Sequence, residues 1–169
     1  MDIIEFAMKM ETDGKAFYEK QAGLTSDPEL KKILIQLAEE EGRHYEFFRR
    51  LKDNPNDISG GEALMGSQTL ADVKNIFEEL AQKTDQKPFG DDVISAWREA
   101  LTTEEKSEAF YKEKAEVEPD PKKKDLLLQI AKEENNHMQM IDGVLMFLKQ
   151  PSDFAESAQF KNFRSLEGW

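Results

Sequence analysis

Two segments of the chain, 93 positions apart, carry the same residues in the same order. Ala7, Glu11, Ala16-Phe17-Tyr18, Ala22, Asp27-Pro28, Gln36, Ala38, Glu40-Glu41 and His44 recur without insertion or deletion. Their counterparts are Ala100, Glu104, Ala109-Phe110-Tyr111, Ala115, Asp120-Pro121, Gln129, Ala131, Glu133-Glu134 and His137. A duplicated unit constrains the fold strongly, because each copy must form the same element pair and neither can bury its apolar face alone. Here each copy reads as a helical hairpin. Two such hairpins packed face to face make an all-α four-helix bundle.

Taken in order, Ile4 to Ala22 reads as a helix with a stripe through Ile4, Ala7, Glu11, Gly14 and Tyr18. A turn follows at Gly23–Ser26, and Asp27 caps a second helix with Pro28 in its first position. That helix runs to about Lys52 on a stripe of Leu30, Leu34, Leu37, Phe48 and Leu51. Asn54 to Gln68 is loop by composition. Leu70, Val73, Phe77 and Leu80 predict a short helix over Leu70–Lys83, ended by Pro88-Phe89-Gly90. Asp91 or Asp92 is expected to cap the third bundle helix, whose inner stripe holds Val93, Trp97, Ala100, Glu104 and Tyr111. Glu118-Pro119-Asp120-Pro121 stops it and starts the fourth, which carries Leu127, Ile130, Ile141, Val144 and Leu148. The tail from Pro151 to Trp169 reads as an apolar strap, so the expected division is a bundle over 1–150 and a tail over 151–169.

Short turns make each hairpin antiparallel. The connection of about forty residues from Leu51 to Asp92 can return along a bundle of roughly 35 Å, at 1.5 Å per helical residue. One long crossover is the ferritin-like arrangement.

Glu11, Glu41, His44, Glu104, Glu134 and His137 occupy stripe positions where apolar residues belong. Burial there would carry them into the core, and ionisable groups are almost never buried without a partner. Glu and His at i and i+3 project from one helix face. The pseudo-twofold brings the two trios together. Four carboxylates and two imidazoles suit a pair of divalent transition ions, iron or manganese first. Four negative charges against two dications leave such a site near neutral. A glutamate plus a Glu-x-x-His pair, used twice, is also the known signature of di-iron carboxylate bundles. Gly14, one turn beyond Glu11, suggests that space is needed beside that carboxylate. Glu40, Glu133 and Glu105 fall off the stripes and read as solvated charge. Phe17 and Phe110 read as core filling. Tyr18 and Tyr111 lie two turns beyond Glu11 and Glu104 on the same face, as candidates to hold the carboxylates or supply protons.

These residues resemble the rubrerythrin family of the ferritin-like superfamily. The likeness rests on Glu11 with Ala16-Phe17-Tyr18, Glu41-x-x-His44, Glu104 with Ala109-Phe110-Tyr111, and Glu134-x-x-His137, over roughly Ile3 to Lys149. It implies a non-haem di-iron centre, with manganese or zinc as substitutes, that reduces hydrogen peroxide to water in defence against oxidative stress. Ferritin-like oxidation of ferrous iron by dioxygen is the alternative, and a metal-binding bundle without turnover a third. Two departures stand out. The family commonly carries a rubredoxin-type site of four cysteines, and this chain has no cysteine. Electrons would then come from an external protein such as a rubredoxin. The family also has a further glutamate three residues after the third-helix ligand, where this chain has Ser107.

The cysteine count also excludes disulfides, iron–sulfur clusters and thiol catalysis. A net charge of −12 argues against nucleic-acid and anionic-membrane partners. Met1–Met10 lacks the basic start and apolar core of a signal peptide. A cytoplasmic homo-oligomer, a dimer, is the expectation.

Overall fold

The structure, a computed structural model, describes residues 3–58, 69–83 and 85–156. Its elements are five helices and a short 3-10 segment: α1 Ile3–Leu24, α2 Pro28–Asp53, α3 Thr69–Ala81, α4 Asp91–Val117, α5 Pro121–Lys149 and the 3-10 turn Pro151–Glu156. There is no strand among the described residues. The described residues are all helical and form a bundle consistent with the expected ferritin-like arrangement.

The duplicated Asp-Pro pairs do the same work in both halves. Asp27 accepts from the backbone N–H of Glu29 and Leu30 at 3.0 and 3.1 Å, and Asp120 from Lys122 and Lys123 at 2.9 and 3.4 Å. Each cap satisfies donors that the first helical turn leaves unpaired, worth about 1 kcal/mol. Within each half the hairpin is tight, α1 along α2 and α4 along α5, whereas α1 and α4 touch only sparsely.

Two apolar clusters fill the bundle. One gathers Leu30, Leu34, Leu37, Ile141, Val144 and Leu148 with the inner face of α3. The other holds Ala7, Phe47, Phe48, Leu51, Tyr111 and Ile130. Burying each large side chain contributes roughly 1.5–3 kcal/mol, which offsets the polar layer described below. α3 docks through Phe77, whose ring edge meets Gly143 where a Cβ would stand 2.9 Å away. The Phe89 N–H donates to Leu148 O at 2.9 Å and ties the end of the connection to the last turns of α5.

Several expectations need adjustment. The cap of α4 is Gly90, with no side-chain hydrogen bond, and Asp91 and Asp92 lie in its first turn. Leu126 is the buried residue of its turn, and Leu127 is only half-buried. Pro151 ends α5 but opens a 3-10 turn that seats Phe154 against Phe77 and Phe147. Most of the Asn54–Gln68 loop and the tail aromatics Phe160, Phe163 and Trp169 lie outside the described residues.

Candidate metal centre

All six stripe residues are buried, none more than 4% exposed. They form two groups of four. Glu11, Glu41, His44 and Glu134 make one, and Glu41, Glu104, Glu134 and His137 the other. In each group one ligand-type atom per residue lies within 4.8 Å of the others. Glu41 and Glu134 belong to both. α1 and α2 thus furnish Glu11, Glu41 and His44, and α4 and α5 furnish their counterparts.

The imidazoles are oriented from behind. His44 Nδ1 faces inward, 3.0 Å from Glu134 Oε1 and 3.3 Å from Glu11 Oε2. His137 Nδ1 lies 3.2 Å from Glu41 Oε1 and 3.3 Å from Glu104 Oε2. On the outer side, Nε2 of His44 sits 2.7 Å from Glu133 Oε2, and Nε2 of His137 sits 2.7 Å from Glu40 Oε2. An Nε2–H donated outward would leave the Nδ1 lone pair free for a cation in the interior. The two rings stack across the pseudo-twofold with centroids 5.9 Å apart.

Glu40 and Glu133 are accordingly not solvated charge. Both are drawn in, Glu40 to 3% exposure, and each crosses between hairpins to hold the other half's histidine. The signal was present in the duplication: a doublet, Glu40-Glu41 and Glu133-Glu134, repeats in register, which freely solvated charge has no reason to do.

The tyrosines also cross over. Tyr18 donates to Glu104, and Tyr111 donates to Glu11. Each is buried, and each serves the carboxylate of the opposite half. Gly14 does make room, but for Glu41: a Cβ there would lie 2.8 Å from Glu41 Oε2. Phe17 and Phe110 do pack against the two cores, half-buried, and each turns its other side to a cleft. With Phe6, Met10, Thr103, Gly14 and Ser107 they line a cleft of about 480 Å³ between α1 and α4. Gly14 and Ser107 are its buried members. Gly14, one wall of this cleft, packs directly against Glu41.

Without an ion, this layer is electrostatically strained. Burial and the charges of its neighbours push Glu41 well above the usual carboxylate range, and burial with Glu104 and Glu11 does the same to Glu134. Burial opposes protonation of both histidines. The carboxylates around them, led by Glu11 for His44 and Glu104 for His137, outweigh it and raise both. Burial likewise opposes ionising Glu104, but His137 outweighs it and holds this carboxyl low. Burial and adjacent carboxylates keep Tyr18 and Tyr111 firmly protonated. Among the described residues, Glu11 Oε2, Glu41 Oε1, His44 Nδ1 and both Glu134 carboxylate oxygens are buried with no hydrogen-bond partner. Unsatisfied buried polar atoms are rare and each carries a desolvation cost. Two cations fit this set: they supply positive charge and take the lone pairs that no N–H or O–H reaches.

Fold and site together define a class: helical bundles with a buried carboxylate–histidine layer. Residues 1–52, which span the first hairpin, match the family model Rubrerythrin, consistent with the rubrerythrin family. No curated protein and no solved structure gave a significant match. No described helix is long and apolar enough to cross a membrane.

Proposed function

We propose that the chain holds two iron ions and reduces hydrogen peroxide to water with electrons from an external protein donor. The observation that carries this reading is the pair of four-residue groups sharing Glu41 and Glu134. Glu11 and His44 would serve one ion, Glu104 and His137 the other, and the shared carboxylates both. Bound iron supplies the Lewis acidity and the electrons for O–O cleavage, H2O2 + 2e− + 2H+ giving two waters.

The protein's own part is positional. Glu40 and Glu133 fix the histidine rings with Nδ1 inward. Tyr18 and Tyr111, kept protonated, steady Glu104 and Glu11 and hold a proton at the edge of the site. The cleft between α1 and α4 supplies an entrance for a small oxidant beside Gly14 and Ser107. With no cysteine in the chain, a rubredoxin-like partner is the donor that fits. The reading includes a cytoplasmic homodimer.

Ser107 favours a second reading. Its short side chain replaces the further glutamate of the family and leaves the ligand sets of the two halves alike, which suits ferritin-like ferrous oxidation by dioxygen. Stopped-flow reoxidation of the diferrous protein separates the two. A peroxidase is reoxidised at least about tenfold faster by peroxide than by dioxygen at equal concentration, a difference of about 1.4 kcal/mol in barrier. The reverse order establishes the second reading, and reoxidation by neither leaves a binding bundle.

A further inference from the structure

Resting on the two-ion reading, we propose that Arg43 makes the two metal positions electrically unequal, so that the position served by His44 favours the more highly charged ion. Inside the site the halves match. Outside it, one of the two histidine-bound carboxylates is neutralised and the other is not. Glu40, behind His137, accepts an ion pair from Arg43 Nη2 at 3.1 Å. The residue 93 positions after Arg43 is Asn136. Glu133, behind His44, is 13% exposed, and no Lys or Arg among the described residues pairs with it.

A carboxylate on the far nitrogen makes an imidazole a more electron-rich ligand and so stabilises the higher charge on its metal. An arginine on that carboxylate withdraws the effect. Both carboxylates are largely shielded from solvent, where salt screens little. One unit charge placed beyond the ring then shifts the preference between two oxidation states on the order of tenfold. The first electron removed from a reduced centre should therefore leave the His44 position.

An anaerobic redox titration of the iron-loaded full chain, followed by EPR of the half-oxidised centre, tests this. The quantity read is the formation constant of that half-oxidised state, which grows as the two positions become more unequal. Asn136→Arg neutralises Glu133, and Arg43→Asn frees the charge of Glu40. Either change equalises the positions, so each should lower the constant about tenfold, a gap narrower by about 59 mV for one electron. The double exchange should restore the gap. A purely structural role would instead lower iron content or move both potentials together. A constant within twofold of the original in both single variants, or shifted in opposite directions by them, overturns the inequality. Arg43→Gln and Asn136→Lys repeat the charge changes should the first pair load iron poorly. Fewer than two irons in the unmodified chain overturns the two-ion reading and this inference with it, whereas full iron with an insensitive gap overturns this inference alone.

Discussion

The hairpin of α1 and α2 and the hairpin of α4 and α5 agree at the centre and differ at the rim. Glu11, Tyr18, Glu40, Glu41 and His44 each have an identical counterpart 93 positions on, and every one of them contacts the opposite hairpin or shares its ligand group. Outside this layer the helix caps and several small residues still match, but other positions differ: Gly14 corresponds to Ser107, Arg43 to Asn136 and Arg50 to Gly143. The difference has a physical origin. Reciprocal contacts across a pseudo-twofold restrain both members at once, because changing either leaves a buried charge unpaired. Positions at the rim answer only to what packs on their own side.

The harshest way to break the match is at the carboxylates common to both groups. Glu134→Ala should strip both ions, with affinity down more than about 100-fold at each position, beyond the 10–100-fold typical of a backing residue. Glu11→Ala should empty mainly the His44 position. Metal content per chain after purification without oxygen reads the difference, and equal losses from both variants would mean that Glu134 is not shared. Removing Glu134 also relieves repulsion among buried carboxylates, so the metal-free variant should melt above the metal-free original.

Withdrawing the metal sharpens the same point. Glu41 is raised by burial and by the charges of Glu134, Glu11 and Glu104, Glu134 by burial and by Glu104 and Glu11, and the histidines by the surrounding carboxylates. A group whose folded pKa is raised stabilises the fold below its unfolded pKa and loses that contribution as pH climbs through the folded value. From about pH 4.5 upward, the unfolded value of a glutamate, the metal-free protein should therefore lose stability steadily, and through pH 6.5 and above the histidines add to the loss. Below that window Glu104 and Asp27, both held low, act with the opposite sign. Each bound ion at 100 times its dissociation constant adds about 2.7 kcal/mol and takes the place of the protons. Melting curves between pH 5 and 8 should fall for the metal-free chain and stay nearly level for the loaded one. A level metal-free curve would mean that the carboxylates are not crowded as the geometry has them.

The six buried carboxylates and imidazoles were legible in the sequence because each interrupts an apolar stripe, and an interruption that repeats in register has no ordinary structural explanation. What periodicity missed lay one step off the stripe. Glu40 and Glu133 sit about 100° around the helix from the ligands beside them, on faces that a lone amphipathic helix gives to solvent. In the bundle α2 and α5 lie against each other, and this flank meets the neighbouring histidine. Gly14 was legible as a need for space but not as space for Glu41, since sequence spacing shows neighbours along a helix and not across to the next. Phe17 and Phe110 were legible as core filling, which they are in part, but not as cleft lining. One side of each ring meets the core, and the other lines the cleft between α1 and α4.

The smallest effect contrasts one pair at the rim. Gly143 and Arg50 occupy equivalent positions, but α3 covers only the first. A methyl at Gly143 would sit 2.9 Å from the ring of Phe77, and that ring is itself backed by Phe154 with centroids 5.8 Å apart. Glycine to alanine within a helix ordinarily gains up to about 1 kcal/mol. Here overpacking, typically about 1–3 kcal/mol, should outweigh that gain, so Gly143→Ala should destabilise by about 1 kcal/mol and lower Tm by about 2–4 °C in a chain of this size. Arg50 is 41% exposed and holds only a 3.4 Å contact to Glu46. Arg50→Ala should therefore stay within about 0.5 kcal/mol of the original. Denaturant unfolding of the two metal-loaded variants compares them directly. If Gly143→Ala is the more stable of the two, Phe77 yields to the methyl, and the contact of α3 with α5 is looser than the rest of the core.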